Sequence, residues 1–509
     1  MEKSTALNTD RYHDVMANFL LKTSLPGCDE ALSNLPATFY VTQRKLPYTL
    51  ALGHPRMIDL LNRSRADKPR ARFLKEDRAN IKLIAEKLEH SRFPGQVSVV
   101  PEGTVIFAGQ PIALVSGPIA MTQLFEVVFE HAFDEPMTWA YLAMKMREEV
   151  GPDVFLSDFS LRRAGSQERA VEASKYLYIG GCDDSSNMEA AFLYEIPSVG
   201  TMAHYLVKIF MAIVTAVLEK KLEIPDSWYD EEGDLKHGQR LCFEYWLDAH
   251  PNGTVCLVDT IDLKLGMIHV IEAALSSPNR KKALKAVRID SGDLVKGVIF
   301  TRKILDANGL KEVKIILTGD LNAEKIREIK EGLKQYIESD KRADNILKTM
   351  GIMGLALGTK GVAEIEQVAG VIFKLTEFWS VPTLKLSGTK GKETLPGLLQ
   401  IWRCEDKEGK YILDITGLAN EPPPKGGETV KATPLIQPFW YQGMSPELKT
   451  PQELKEFFEK QKKKFIVPLS EYAKTRVKLS DELISLKKRL QKEYLETSTS
   501  SKIQIPEGL

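Results

Sequence analysis

A succession of short apolar runs between residues 153 and 377 constrains the fold more than any other feature of this chain. The runs are DVFLSD, YLYIGG, IPSVGT, TVCLVDT, AVRIDSGD, VKIILTGD and GLALGTKG, with GVIFKLTE as a further candidate. Most are continuously apolar and turn small or polar at their C-terminal ends, as strands buried on both faces of a parallel sheet do. Several lead into amphipathic stretches, so strands and helices are expected to alternate. Seven or eight such strands predict an irregular α/β barrel, irregular because their spacing runs from about twenty to about sixty residues. A doubly wound open sheet is the alternative that periodicity leaves open.

The flanks read differently. Residues 1–95 are mostly helical in pattern, with RARFLKEDRANIKLIAEKLEH carrying apolar residues at helical spacing. GQVSVVPEGTVIFAGQPIALVSGPIA then breaks into short β-rich runs between tight turns, predicting a small sheet. A helix is expected from about Met121 to Val150, interrupted near Pro136. Past Leu395 the strand rhythm fades into a long irregular connection, GLANEPPPKGGETVKATP. Thr450, Pro451 and Glu453 then have the spacing of a capping box with proline at the first helical position. The last helix, about Ser480 to Leu495, is lysine-rich and reads as a solvated face. The expected organisation is an N-terminal α+β domain over 1–150 and a barrel carrying the active site over 151–395. A C-terminal helical extension over 396–509 would pack on the N-terminal domain.

Composition removes several classes. Lys plus Arg and Asp plus Glu both number 69, so no bulk field draws in nucleic acid or an anionic membrane. Any anion site must be local. The longest apolar runs fall short of the ~18 residues of a membrane span, and the polar start, MEKSTALNTDRYHD, does not read as a secretory signal. Five scattered cysteines without a CxxC pair point to reduced thiols in a cytoplasmic protein and to no zinc site.

In a barrel the chemistry gathers at the C-terminal ends of the strands. Those ends supply Arg288, Asp290, Ser291 and Gly292 from RIDSGD, Thr318, Gly319 and Asp320 from LTGD, and Gly358 and Thr359 from LGTKG. Glycines that turn backbone N–H groups toward one point, followed by a helix N-terminus, make a phosphate site. The plain alternative is a pair of ordinary tight turns. Arg288 and Asp290 alternate along a strand and can share a face. There they would serve a sugar diol or a divalent cation, or simply pair with each other. His204 follows another run; a lone histidine is more often structural. The segment DFSLRRAG sets Phe159 near Arg162 and Arg163, and a planar anion would use both an aromatic face and a guanidinium. A solvated loop is the bland reading. IPDSWYDEEGDLKHGQRLCFEYW reads as a loop and helix without a functional account.

Taken in order, these segments resemble the nicotinate phosphoribosyltransferase family. NTDRYHDVMANFLL is similar to its Thr-Asp-x-Tyr opening, and VVPEGTVIFAGQPIALVSGPIAMTQLFE to its Pro-Glu-Gly-Thr and Gly-Pro elements. LRRA, GGCDDSSN, IPSVGTMAH, LVDTID, VRIDSGDL, LGT and GVIFKL through TLPG complete the series. The resemblance implies an irregular α/β barrel of the type II phosphoribosyltransferase kind. It also implies transfer of phosphoribosyl from its pyrophosphate (PRPP) to nicotinate, with ATP as co-substrate and Mg2+ or Mn2+ as cofactor. On this basis His204 matches a histidine that ATP phosphorylates. Thr201 and Arg288 match nicotinate contacts, with Phe159 and Arg162 beside them. Tyr12 matches a tyrosine reaching the base in a neighbouring subunit's site, which implies an antiparallel homodimer. Thr359 matches a phosphate-loop threonine, and Asp290, Ser291, Gly292, Gly319, Asp320 and Gly358 would share the phosphoribosyl group. Phe159, Cys182, Asp184 and Thr318 depart from the usual residues. Phenylalanine at 159 is the choice of nicotinamide-specific relatives, so that activity is the alternative. A catalytically silent nucleotide-binding barrel is the alternative of another class.

Overall fold

The computed structural model describes residues 4–496 apart from 26–29, 78–81, 91–92, 220, 320, 338–345, 358–366, 388–391 and 442. It forms two compact units. One is the continuous segment Leu142–Ile365; the other joins Met1–Tyr141 to Glu366–Leu509.

The continuous unit is built on six parallel strands: β1 Phe155–Asp158, β2 Asp184–Ser185, β3 Thr254–Leu257, β4 Leu284–Ile289, β5 Lys314–Leu317 and β6 Ile352–Leu357. Their spatial order is β2-β1-β6-β5-β4-β3, with every neighbouring pair parallel. Leu156, Cys256, Leu257, Val287, Ile289, Ile315 and Leu317 are fully buried, as continuous apolar runs require. Among the described residues no strand joins the two edges, β2 and β3, so the sheet is open there.

The helices that position the site are α1 Gln167–Gly180, α2 Met188–Tyr194, α3 His204–Leu218, α4 Gly238–Ala249, α5 Leu263–Leu275, α6 Leu294–Ala307 and α7 Ala323–Tyr336. Among those that start from side-chain caps beyond a strand end are α5, α6 and α7. The Leu265, Lys296 and Lys325 amides donate to Asp262, Asp293 and Asn322 at 2.8, 3.1 and 2.8 Å. Each cap contributes about 1 kcal/mol and fixes where the strand-to-helix turn stops. At α5 the helix lies so near β3 that a β-carbon on Gly266 would fall 1.7 Å from the Val258 carbonyl oxygen.

Three expectations change. YLYIGG is not a strand but the buried end of α1; a short apolar run alone cannot separate the two. GVIFKLTE is a strand, Val371–Phe378, but it is antiparallel and belongs to the other unit. IPSVGT forms only a single bridge, Ser185 with Ser198. The helix Glu126–Val150 also runs on through Pro136. Pro136 leaves the Ala132 carbonyl without its helical donor. That carbonyl faces Gly53, where a β-carbon would come within 2.1 Å.

The other unit holds a six-stranded sheet whose middle strands are Pro36–Gln43 and Pro111–Pro118. Residues from late in the chain complete it: Val371–Phe378 pairs with Pro36–Gln43, and Gln437–Tyr441 with Gln96–Val99. A second sheet of four strands carries the buried Arg403–Asp414 pair, bonded at 2.7 and 2.9 Å. The capping box at Thr450 and Glu453 forms as expected.

Candidate active site

The ends of β3, β4 and β5 meet around one guanidinium. Arg288, the penultimate residue of β4, lies between Leu257 and Ile316 in register and is 8% exposed. Its Nε donates to the Thr318 hydroxyl at 3.0 Å. Nη1 donates to the Thr201 hydroxyl at 2.5 Å and to the Met202 carbonyl at 3.3 Å. Nη2 donates to Asp290 Oδ1 at 3.1 Å. Of the five guanidinium N–H groups, one remains for a ligand. The Phe159 ring centroid lies 6.0 Å from Arg288 Cζ. Buried, charged and fixed from three sides, this cation is organised before any anion arrives.

Asp290 is held in turn. Burial pushes its carboxyl up, but the Thr318 hydroxyl and Arg288 outweigh that and hold it below the usual carboxylate range. Its backbone N–H donates to Asp259 Oδ2 at 3.0 Å, and Ser291 Oγ donates to the same oxygen at 2.6 Å. Asp259, the third residue of LVDTID, thereby joins the site. Its signal was the repeated spacing Asp259-x-x-Asp262 and Asp290-x-x-Asp293: the second of each pair caps a helix, the first joins the site. Asp259 Oδ1 is buried without a hydrogen-bond donor among the described residues. Two adjacent carboxylates with an unspent buried oxygen suit Mg2+, which takes one or two protein carboxylates and leaves the remaining positions to water and substrate.

His204 is the first residue of α3. Its Nδ1 lies 3.0 Å from the Thr260 hydroxyl and its Nε2 3.7 Å from Asp290 Oδ2. Gly319 turns with φ +88°, and a β-carbon there would meet the Asp290 carbonyl oxygen at 2.3 Å. Gly292, at φ +81°, faces open space. Gly319→Ala should therefore lose more stability than Gly292→Ala: both incur roughly 1–2 kcal/mol of left-handed strain, and only the first also displaces Asp290. Denaturant midpoints of the two variants check this; equal losses would contradict it.

The structure thus gathers Phe159, Thr201, His204, Arg288, Asp290, Ser291 and Thr318. Arg162 does not join them: it is exposed in the short turn Leu161–Arg163 and forms no hydrogen bond or ion pair among the described residues. Asp320, Gly358 and Thr359 lie outside the described residues. Tyr12 belongs to the other unit, where its hydroxyl donates to Glu126 at 2.5 Å. His13 and Lys374 bind the same carboxylate at 2.9 and 3.0 Å. Burial pushes the Glu126 carboxyl up, but these partners pull it down to about 2. A depressed carboxyl stabilises the fold above its unfolded value and loses that contribution as pH falls toward 2. Glu126→Gln should flatten the acid limb of unfolding between about pH 4.5 and 2, by on the order of 2–3 kcal/mol. Urea midpoints at pH 7, 4 and 2.5 test it; parallel curves for the two proteins would contradict it.

No family model matches the chain. Solved structures with similar folds include human nicotinic acid phosphoribosyltransferase, with TM-score 0.71 at 22% identity, covering 95% of this chain and 99% of that one. Another is nicotinate-nucleotide pyrophosphorylase from Pyrococcus furiosus, with TM-score 0.64 at 21% identity, covering 91% and 96%. The fold is therefore a mixed α/β fold shared with these two proteins. Among curated sequences, nicotinate phosphoribosyltransferase 1 of Arabidopsis thaliana is 31% identical over 364 residues, 65% of this chain and 62% of that protein. A nicotinate phosphoribosyltransferase of Mycobacterium tuberculosis is 29% identical over 444 residues, 86% of this chain and 82% of that protein. The chain is thus similar to nicotinate phosphoribosyltransferases over most of its length. Its match spans less than two thirds of the plant relatives' length.

Proposed function

We propose that the protein joins nicotinate to phosphoribosyl pyrophosphate, giving nicotinate mononucleotide and pyrophosphate in NAD salvage. The observation that carries this reading is Arg288: a buried, pre-fixed cation beside an aromatic ring at the C-terminal edge of a parallel sheet. A flat acid fits there. Its carboxylate would take the remaining Arg288 N–H and the proton of the Thr201 hydroxyl, which already accepts from Arg288. Phe159 would cover the ring. The pyridine nitrogen carries its own lone pair and needs no general base, so orientation and charge supply most of the rate. Asp290 would receive ribose hydroxyls, and the Gly319 turn the phosphate side. Mg2+ (or Mn2+) held through Asp259 and Asp290 would neutralise charge on the leaving pyrophosphate.

ATP coupling through His204 belongs to the same reading. An imidazole nitrogen would take the γ-phosphoryl group, releasing ADP, and water would later release phosphate. The position of His204 at the start of a 15-residue helix supports this, since a helix N-terminus favours added negative charge. A homodimer is part of the proposal too. The sequence HYLVKIFMAIVTAVL of α3 is almost wholly apolar, yet Val207 is its one buried residue. Nearby in sequence, Met188 and Phe192 of α2 are exposed as well. A second copy would cover such a surface. Ile209→Glu should then shift the sedimenting species from dimer to monomer; an unchanged species would contradict this. We place the protein in the cytoplasm, a reading supported by four buried cysteines among the described residues that form no disulfide, and the six-stranded sheet within an irregular barrel.

Pyrophosphate release with nicotinate, with nicotinamide and with neither tests the function. Release only with nicotinate is expected. Preference for nicotinamide would favour the reading suggested by Phe159, and no release with either base would leave a silent nucleotide-binding protein.

A further inference from the structure

Immediately before Phe159 the chain buries a carboxylate that the mechanism above does not use. Asp158 ends β1 and is 0% exposed. No cation pairs with it among the described residues; its partners are serines and one amide. Oδ1 accepts from the Ser160 N–H at 2.9 Å and the Ser160 hydroxyl at 2.5 Å. Oδ2 accepts from the hydroxyls of Ser174 at 2.6 Å and Ser185 at 2.8 Å. Removing a carboxylate from water without a counter-charge is costly, and an apolar side chain would fill the space at lower cost. Polar networks that satisfy every member fix one geometry.

The geometry fixed here reaches two loops of the site. Ser160 is the residue after Phe159 and starts the turn that follows it; the Arg163 N–H closes that turn on the Ser160 carbonyl at 2.8 Å. Ser185 leads to the other loop. Its N–H donates to the Pro197 carbonyl at 3.0 Å, and its own carbonyl accepts from the Val199 N–H at 3.1 Å. Two residues later stands Thr201, bonded to Arg288. One buried carboxylate therefore ties the aromatic cover to the segment that holds the cation's hydroxyl partner. Ser174, on α1, reaches the same carboxylate from the scaffold and belongs to neither loop.

We infer that Asp158 is a positioning residue: through Ser160 and Ser185 it sets the Phe159 turn and the Thr201 loop at a common distance from Arg288, and so shapes the pocket for the base. The functional half of this claim rests on the base-binding reading above; the geometric half does not. Two measurements keep them apart. In hydrogen exchange on the full chain, Asp158→Asn should speed exchange at least about tenfold in both 159–163 and 198–202, because a carboxamide cannot accept from all four donors. Ser174→Ala should not speed either. In steady-state kinetics, Asp158→Asn should raise the KM for nicotinate about tenfold and that for phosphoribosyl pyrophosphate less than about twofold, with kcat changing less than KM.

Faster exchange confined to α1, or spread evenly over the unit, would overturn the proposal. So would equal rises in both KM values. If Asp158→Asn does not fold, Ser160→Ala and Ser185→Ala, each cutting one arm, should each loosen its own loop; if neither does, the proposal fails. A wild-type protein inactive with nicotinate would refute the base-binding reading and with it the kinetic half. The exchange result would still decide the geometric half.

Discussion

Replacing Arg288 by alanine should raise the dissociation constant for nicotinate roughly 100- to 1,000-fold, while that for phosphoribosyl pyrophosphate moves less than about fivefold. The difference comes from chemistry as much as position. On the proposed reading the acid group of the base would be met by charge-assisted hydrogen bonds, each worth about 1.5–3 kcal/mol. The phosphate side depends on backbone and on other residues. Arg288 also braces Thr201, Met202, Thr318 and Asp290, so its loss leaves Asp290 part-buried without its cation. Some fall in melting temperature is expected. Arg288→Lys separates the two effects: it keeps the charge but cannot span Thr318, Thr201 and Asp290 at once. Calorimetric titration of both ligands into both variants is the check. Equal losses for the two ligands would reduce Arg288 to a brace.

Replacing His204 by alanine should abolish the stimulation by ATP and leave only slow transfer. In the wild type ATP should lower the apparent KM at least about tenfold; in the variant the change should be under about twofold. The labelled γ-phosphoryl group of ATP should remain on wild-type protein after rapid quenching and be absent from the variant. Thr260→Val, which removes the partner of Nδ1 at 3.0 Å, should weaken labelling without eliminating it. An ATP effect that survives in the alanine variant would remove His204 from the coupling.

How much of this was legible in the sequence depends on where the signal lay. The strand ends were readable because burial on both faces demands continuous apolar runs, and five of those runs are β1, β3, β4, β5 and β6. Arg288 and Asp290 were readable from their places at the end of one such run, β4, whereas His204 follows IPSVGT, which is no strand. YLYIGG was misread because a buried helix end and a buried strand look alike over six residues, and GVIFKLTE because its partner strand lies over 300 residues earlier in the chain. The carboxylates separate only in three dimensions. Asp259 and Asp262 differ by one turn of backbone, yet one meets Ser291 and the other caps α5. Asp158 opens the segment DFSLRRAG, but its three serine partners come from segments up to 27 residues away, a distance that no local pattern records.

The discontinuous unit also bears on synthesis. Its central strand, Pro36–Gln43, lies between Pro111–Pro118 and Val371–Phe378. A ribosome therefore releases the first strand long before one of its neighbours exists. The continuous unit can finish folding in the interval, while an unzipped edge waits bare or in a holding chaperone. Fragments stopped near residue 141 would carry that edge permanently, and clumping rather than simple inactivity is what they should display.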